Sequence, residues 1–346
     1  MNTPIFIVGA NRSGTTLLRL LLNAHPRIAI PEELVYFDSN LAGTPIEEWR
    51  TPNISPSTYH QFVEAFLDDN PSLFDTISRA DLKRRILSAP NRDLRHPYVT
   101  ALQAWADAQN KPRWGEKTPG NLFYVDVLVE MFPQARFLYV ARDPRAGVAS
   151  MQNVSFFPDD VIPNALIRRK FATEGFSLLS RSVPSSQWTT VQYEDLVTDP
   201  EQILRNVCDF LGEAYAPGML AFHYEAQRFM KEEASASFNA AATQPISASQ
   251  VDAWRDRLGA ADVAMIESIC AEEMQRHDYQ PEAGPPSARQ WLRVRAWELY
   301  WATECWRNRH IRHYTVKSPP FARLRSRLER WLGLEKAVPA RFSSCP

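Results

Sequence analysis

The densest chemistry in this chain lies near its start, in Gly9-Ala-Asn-Arg-Ser-Gly-Thr-Thr16. The two glycines and the hydroxyl at 16 have the spacing of a nucleotide-phosphate loop, G-x-x-x-x-G-K-[ST], but Thr15 stands where the lysine belongs. Successive backbone N–H groups and a helix N-terminus can still hold an anion there. The missing lysine is the one that reaches the β- and γ-phosphates of a nucleoside triphosphate, while Arg12 offers a cation from the other side of the loop. The loop therefore suits a phosphate-like anion and not triphosphate hydrolysis. Further along stand Glu32-Glu33, Glu116-Lys117-Thr-Pro119, and Arg142-Asp-Pro-Arg145 with Ser150. Taken alone, Arg142-Asp143 could be an ion pair on the surface.

Elements must carry these groups. Pro4–Val8 is a short β-branched run, as in a buried strand, and Thr15–Leu22 reads as a helix closing near Asn23-Ala-His-Pro26. Strand, glycine loop and helix open a βαβ unit. Residues 58–110 read as several helices. A helix over Asn121–Phe132, a break at Pro133 and a strand over Arg136–Val140 form a second αβ unit, and Pro144 is placed to begin a helix. A third strand covers Trp188–Tyr193. Asp199-Pro200 starts a helix that runs to Leu211 and stops at Gly212. Such alternation predicts an α/β fold, with helices on both faces of a mainly parallel sheet.

Composition limits the alternatives. With 346 residues, 45% hydrophobic and 23% charged, the chain is neither fibrous nor low-complexity. It has no apolar run of membrane-spanning length, and Ile5–Val8 is too short for a signal-peptide core, so a cytoplasmic location is expected. Four separated cysteines contain no C-x-x-C, so no zinc site follows, and Cys208 and Cys270 sit in apolar helical contexts. The net charge of −1 conceals an asymmetry: residues 281–346 carry 13 Lys+Arg against 5 Asp+Glu. Five of the ten tryptophans fall there too, after the breaker cluster Pro281–Pro286. A main domain over 1–280 and a basic, aromatic helical extension over 287–346 are expected.

The Arg12-Ser-Gly-Thr-Thr16 loop after a buried strand resembles the 5′-phosphosulfate loop of sulfotransferases. These enzymes use 3′-phosphoadenosine 5′-phosphosulfate (PAPS) as donor and release 3′-phosphoadenosine 5′-phosphate (PAP). The second half of their signature is a strand, an arginine and, eight residues later, a serine that grip the 3′-phosphate. Arg142 and Ser150 fit it. Asn23-Ala-His-Pro26, Glu32-Glu33 and Tyr193-Glu-Asp-Leu-Val197 make the match fullest to the branch of tyrosylprotein sulfotransferases and bacterial relatives. The resemblance covers roughly residues 4–280 and implies a P-loop-like three-layer α/β/α fold with 34–112 as a helical, acceptor-side insertion.

It also implies roles. Arg12, Ser13, Gly14, Thr15 and Thr16 would cradle the 5′-phosphosulfate, and Tyr193 would flank the nucleotide unless it is a core aromatic at the strand end. Ser247 lies in a segment like the late loop that closes over the donor, although Gln244 stands where a basic residue is usual. Sulfuryl transfer needs cations at the bridging oxygen, by analogy with loose phosphoryl transfer, and a base for the acceptor hydroxyl. Arg12 and Lys117 match the family's cations, and no metal is implied. Two residues match known bases: Glu33 in the tyrosylprotein branch and Glu116 in heparan sulfate sulfotransferases.

The acceptor is a hydroxyl on a small molecule, a glycan or a peptidyl tyrosine. Tyr36, Phe37, Trp49 and Tyr59 lie in the segment expected to form its pocket. In the tail, Phe321, Leu324, Leu328 and Trp331 share one helical face with arginines largely off it. That face can pack on the main domain, on a second subunit, or on an anionic membrane. No nucleic-acid module is present.

Overall fold

The computed structural model describes residues 3–37, 55–89, 93–223 and 244–311, with side chains to 302. Trp49, most of the segment between 38 and 54, and the expected tail helix over 321–331 lie outside the described residues.

The chain opens with β1 (Ile5–Gly9), α1 (Thr15–Asn23) and the two-residue β2 (Ile28–Ala29). Three helices follow: α2 (Pro56–Asp69), α3 (Arg79–Leu87) and α4 (Arg95–Ala108). Next come β3 (Arg113–Lys117), α5 (Val125–Met131) and β4 (Arg136–Ala141). Three more helices are α6 (Pro144–Met151), α7 (Val161–Lys170) and α8 (Phe176–Ser182). β5 (Trp188–Gln192), α9 (Tyr193–Thr198) and α10 (Pro200–Leu211) come next. Last are α11 (Ala260–Ile269), α12 (Ala271–Arg276) and α13 (Ala288–Ile311).

The strands form one sheet in the order β2-β3-β1-β4-β5, every pairing parallel. All five residues of β1 and of β3 are buried. Successive strand residues point to opposite faces, so continuous burial means that both faces are covered. This is the expected α/β architecture, with β2 and β3 added to the three strands read from sequence.

Local signals act where their chemistry says they should. Asp199 caps α10 by accepting from the Gln202 N–H at 3.3 Å, and Gly212 ends it at φ 74°. Asp143 caps α6, accepting from the Arg145 N–H at 2.8 Å, with Pro144 in the first turn. Cys208 and Cys270 are buried thiols.

The chain divides into two compact units: 1–142 with 174–249, and 143–173 with 250–346. The first holds the whole sheet. The second is helical in its described residues, and its core joins Ile162, Leu166, Ile266, Trp254 and Trp297. α13, the start of the basic stretch, contributes Val294, Trp297 and Tyr300 to that core. Inside it Arg168 and Glu273 form a two-pronged ion pair, Nε to Oε2 at 3.0 Å and Nη2 to Oε1 at 2.7 Å.

Candidate active site

In the first unit, the segments that bear chemistry follow the carboxyl ends of parallel strands, where open α/β sheets bind ligands. The glycine loop follows β1, Glu32 and Glu33 follow β2, Lys117 ends β3, Arg142 follows β4 and Tyr193 follows β5.

The loop is built around α1's first turn. Gly14 occupies the N-cap position at φ 98°, in the left-handed region, and no side chain caps the helix. No acidic residue lies in the first turn, so its amide donors are left for an anion. A Cβ on Gly14 would lie 2.4 Å from Cδ2 of Tyr193, so that ring packs directly on the loop. Arg12 is also left-handed, at φ 63°, and its carbonyl accepts from Arg142 Nη1 at 3.1 Å. The Arg142 guanidinium lies over the Tyr193 ring at 4.1 Å. Arg12, Gly14, Arg142 and Tyr193 thus form one contact set. Ser13 and Thr15 are buried in it.

Lys117 reaches the loop from β3. Its Nζ lies 2.5 Å from Glu33 Oε1 and 3.4 Å from Thr16 Oγ1. The lysine side chain is 4% exposed, whereas Glu33 is 52% exposed. Asn23, at the end of α1, fixes the chain that leads to Glu33: its amide donates to the Ile30 carbonyl and accepts from the Ile30 N–H, both at 2.7 Å. His25 donates from Nε2 to the Ala214 carbonyl at 2.9 Å, because its Nδ1 accepts from the Arg27 N–H. It is a structural residue.

Glu116 is enclosed. It neighbours Lys117 on β3 and therefore points to the opposite face of the sheet. It is 0% exposed and accepts from Asn121 Nδ2 at 2.5 Å and from the Thr118 hydroxyl. Burial pushes its pKa up to about 7, against the hydrogen bonds from Thr118 and Asn121 and the Lys117 charge. The Glu116–Thr118–Asn121 cluster pins the turn after β3.

The electrostatics favour an incoming anion. Burial lowers the pKa of Arg12, and the Arg142 charge lowers it further. Burial likewise lowers Lys117, with Glu33 opposing and Arg19 adding to the drop. Cations held this way beside the first turn of α1 are what a phosphosulfate requires.

Other expected residues have these surroundings. Ser150 lies on α6, in the second unit. Ser247 is exposed, and its Oγ accepts from the Ser249 N–H at 3.2 Å. Tyr36, Phe37 and Tyr59 are buried. Tyr36 stacks on Tyr98 at 4.5 Å and Phe37 on Tyr124 at 4.9 Å, so they form an aromatic core. One charged residue of the site was not read from sequence. Arg19 is 2% exposed, and its charge reaches Glu32, Glu33 and Lys117.

Comparison with known proteins shows the family. The model of the Sulfotransferase family matches residues 4–217, and the chain belongs to that family. It is similar to protein-tyrosine sulfotransferase A of Caenorhabditis elegans, 24% identical over 307 residues, covering 82% of this chain and 69% of that protein. Protein-tyrosine sulfotransferase 2 of Gallus gallus is 26% identical, covering 82% and 71%. An omega-hydroxy-beta-dihydromenaquinone-9 sulfotransferase, Stf3, of Mycobacterium tuberculosis is 27% identical, covering 62% and 65%. In fold it is similar to the sulfotransferase domain of the curacin biosynthetic pathway, with TM-score 0.59 and 21% identity, covering 82% of this chain and 99% of that one. The protein is thus an enzyme that transfers a sulfuryl group.

Proposed function

We propose that Glu33 is the general base, that Arg12 and Lys117 stabilise the charge that develops at the bridging oxygen, and that the acceptor hydroxyl is a phenol. PAPS supplies the sulfuryl group. The amides at Gly14, Thr15 and Thr16, with Ser13, hold its 5′-phosphosulfate, and Tyr193 and Arg142 flank the nucleotide. Arg142 takes the 3′-phosphate. Ser247, in its exposed turn, is a further donor contact. Glu33 takes the acceptor proton as the acceptor oxygen bonds to sulfur and the sulfur–oxygen bond to PAP breaks. Lys117 lies between Glu33 and Thr16, so one cation serves both base and donor.

One observation carries the choice of base: Glu33 is half exposed beside Lys117, whereas Glu116 is sealed on the opposite face of β3. An acceptor can reach the first and not the second. The phenol is supported by the tyrosine-sulfating relatives. The Stf3 likeness keeps an alkyl alcohol as the competing acceptor.

The experiment compares Glu33→Gln and Glu116→Gln with a tyrosyl peptide and a long-chain primary alcohol, reading PAP release. Glu33→Gln should bind PAP normally and lose about 10²–10⁴-fold in turnover, the usual share of a general base. Glu116→Gln should lose less. The reverse ranking would give the base role to Glu116, and turnover on the alcohol alone would overturn the phenol.

A further inference from the structure

α1 is a leucine-rich helix with one polar stripe. Thr16, Arg19 and Asn23 are spaced three and four apart, so they lie along one face. Each end of that stripe is accounted for: Thr16 meets Lys117, and Asn23 holds Ile30. Arg19 stands between them.

Its placement costs the fold. The side chain is 2% exposed, and Nε has no hydrogen-bond partner among the described residues. A buried guanidinium without full pairing is unfavourable, and an apolar side chain of similar length would be better for packing alone. Its neighbours on the stripe lead to the site, Thr16 to Lys117 and Asn23 to the chain before Glu32, and its charge acts on Glu32, Glu33 and Lys117. Arg19 is the buried cation of α1 whose charge opposes the two glutamates of the turn.

We propose that Arg19 is a positioning residue for sulfuryl transfer, holding the Glu32–Glu33 turn by its charge and fixing how tightly Lys117 is paired to Glu33. With Arg19 in place, Glu33 feels a second positive charge besides its ion pair with Lys117, and Lys117 can leave it for the bridging oxygen. Without Arg19, Glu33 binds Lys117 alone, and the lysine holds its proton more tightly. This inference rests on the reading of Lys117 as a transfer-step cation, which Lys117→Ala tests separately.

The test uses Arg19→Met and Arg19→Lys in the full chain, with three readouts: thermal stability with and without PAP, turnover, and the titration of the Lys117 ¹³Cε resonance. Arg19→Met should keep or raise the thermal midpoint and bind PAP. Its turnover should fall by about 10–100-fold, as misplaced catalytic groups do. Its Lys117 titration should move to higher pH, because a like charge has gone. Arg19→Lys should restore most of both. An unmoved Lys117 titration with turnover near wild type overturns the proposal. So does a destabilised Arg19→Met whose loss Arg19→Lys does not repair, which makes Arg19 a packing residue. Normal turnover in Lys117→Ala overturns the underlying reading instead.

Discussion

At the scale of single residues, the site separates two glutamates by environment. Glu116 holds its proton up to about pH 7 in the fold, because burial outweighs its hydrogen bonds, against an ordinary value of 4.5. A carboxyl whose proton is held more tightly in the fold contributes stability below the unfolded value and loses it as pH rises toward the folded one. The loss is about 3 kcal/mol in all. Glu116→Gln cannot ionise, so its thermal midpoint should fall less than that of wild type between about pH 5 and pH 8. Parallel pH profiles would show that Glu116 ionises as easily in the fold as outside it. Arg12, Gly14 and Arg142 were legible in the sequence because each belongs to a spaced motif, and the structure joins them through one carbonyl and one ring. Arg19 was not, because a single arginine among leucines reads as the polar side of an amphipathic helix. Only its place in the Thr16–Arg19–Asn23 stripe marks it. Tyr36 and Phe37 are ambiguous in the sequence. Aromatic side chains suit a ligand pocket and a core equally well, and here they stack on Tyr98 and Tyr124.

At the scale of elements, β1, β4 and β5 announce themselves by β-branched and aromatic runs, and α10 by its Asp-Pro start and glycine stop. β3 does not, since Arg113-Trp-Gly-Glu-Lys117 is poor in strand formers and has no alternation. It is a strand because it lies beside β1, Phe6 against Glu116 and Ile7 against Lys117, where neighbours decide more than propensity. β2 is too short to leave a pattern. The loop-to-helix junction yields a sharper expectation. Gly14→Ala would place a methyl group 2.4 Å from Tyr193 at a backbone angle that disfavours any side chain. The left-handed conformation alone costs about 1–2 kcal/mol. The ring must also move, and Arg142 rests on that ring. Gly14→Ala should therefore lower the thermal midpoint and weaken PAP binding together, as read by calorimetry and titration. A variant that loses stability but keeps full PAP affinity would show that Tyr193 and Arg142 do not respond to the loop.

At the scale of the whole molecule, a buried group in each unit answers pH with the opposite sign: Glu116 in the first and His277 in the second. In the second, burial pushes His277 down to about 4, from an ordinary value of 6.5. A histidine that resists protonation in the fold contributes stability above the unfolded value and loses it as pH falls toward 4. His277→Phe should reduce the drop in thermal midpoint between about pH 7 and pH 4.5. An unchanged drop would assign acid sensitivity to other groups. The division itself follows from long-range packing that no local sequence signal records: 143–173 find their partners beyond residue 250.

That division has a consequence for synthesis. Arg168 leaves the ribosome 105 residues before Glu273, the carboxylate that neutralises it in the finished core. At about 5–20 residues per second, the interval is roughly 5–20 s. During that time the chain can complete its parallel sheet, since β5 and α10 emerge first. The Ile162–Leu166 face of α7 meanwhile stays without its cover. The buried pair that locks the second unit can form only when Glu273 has been made, so that unit's core closes last.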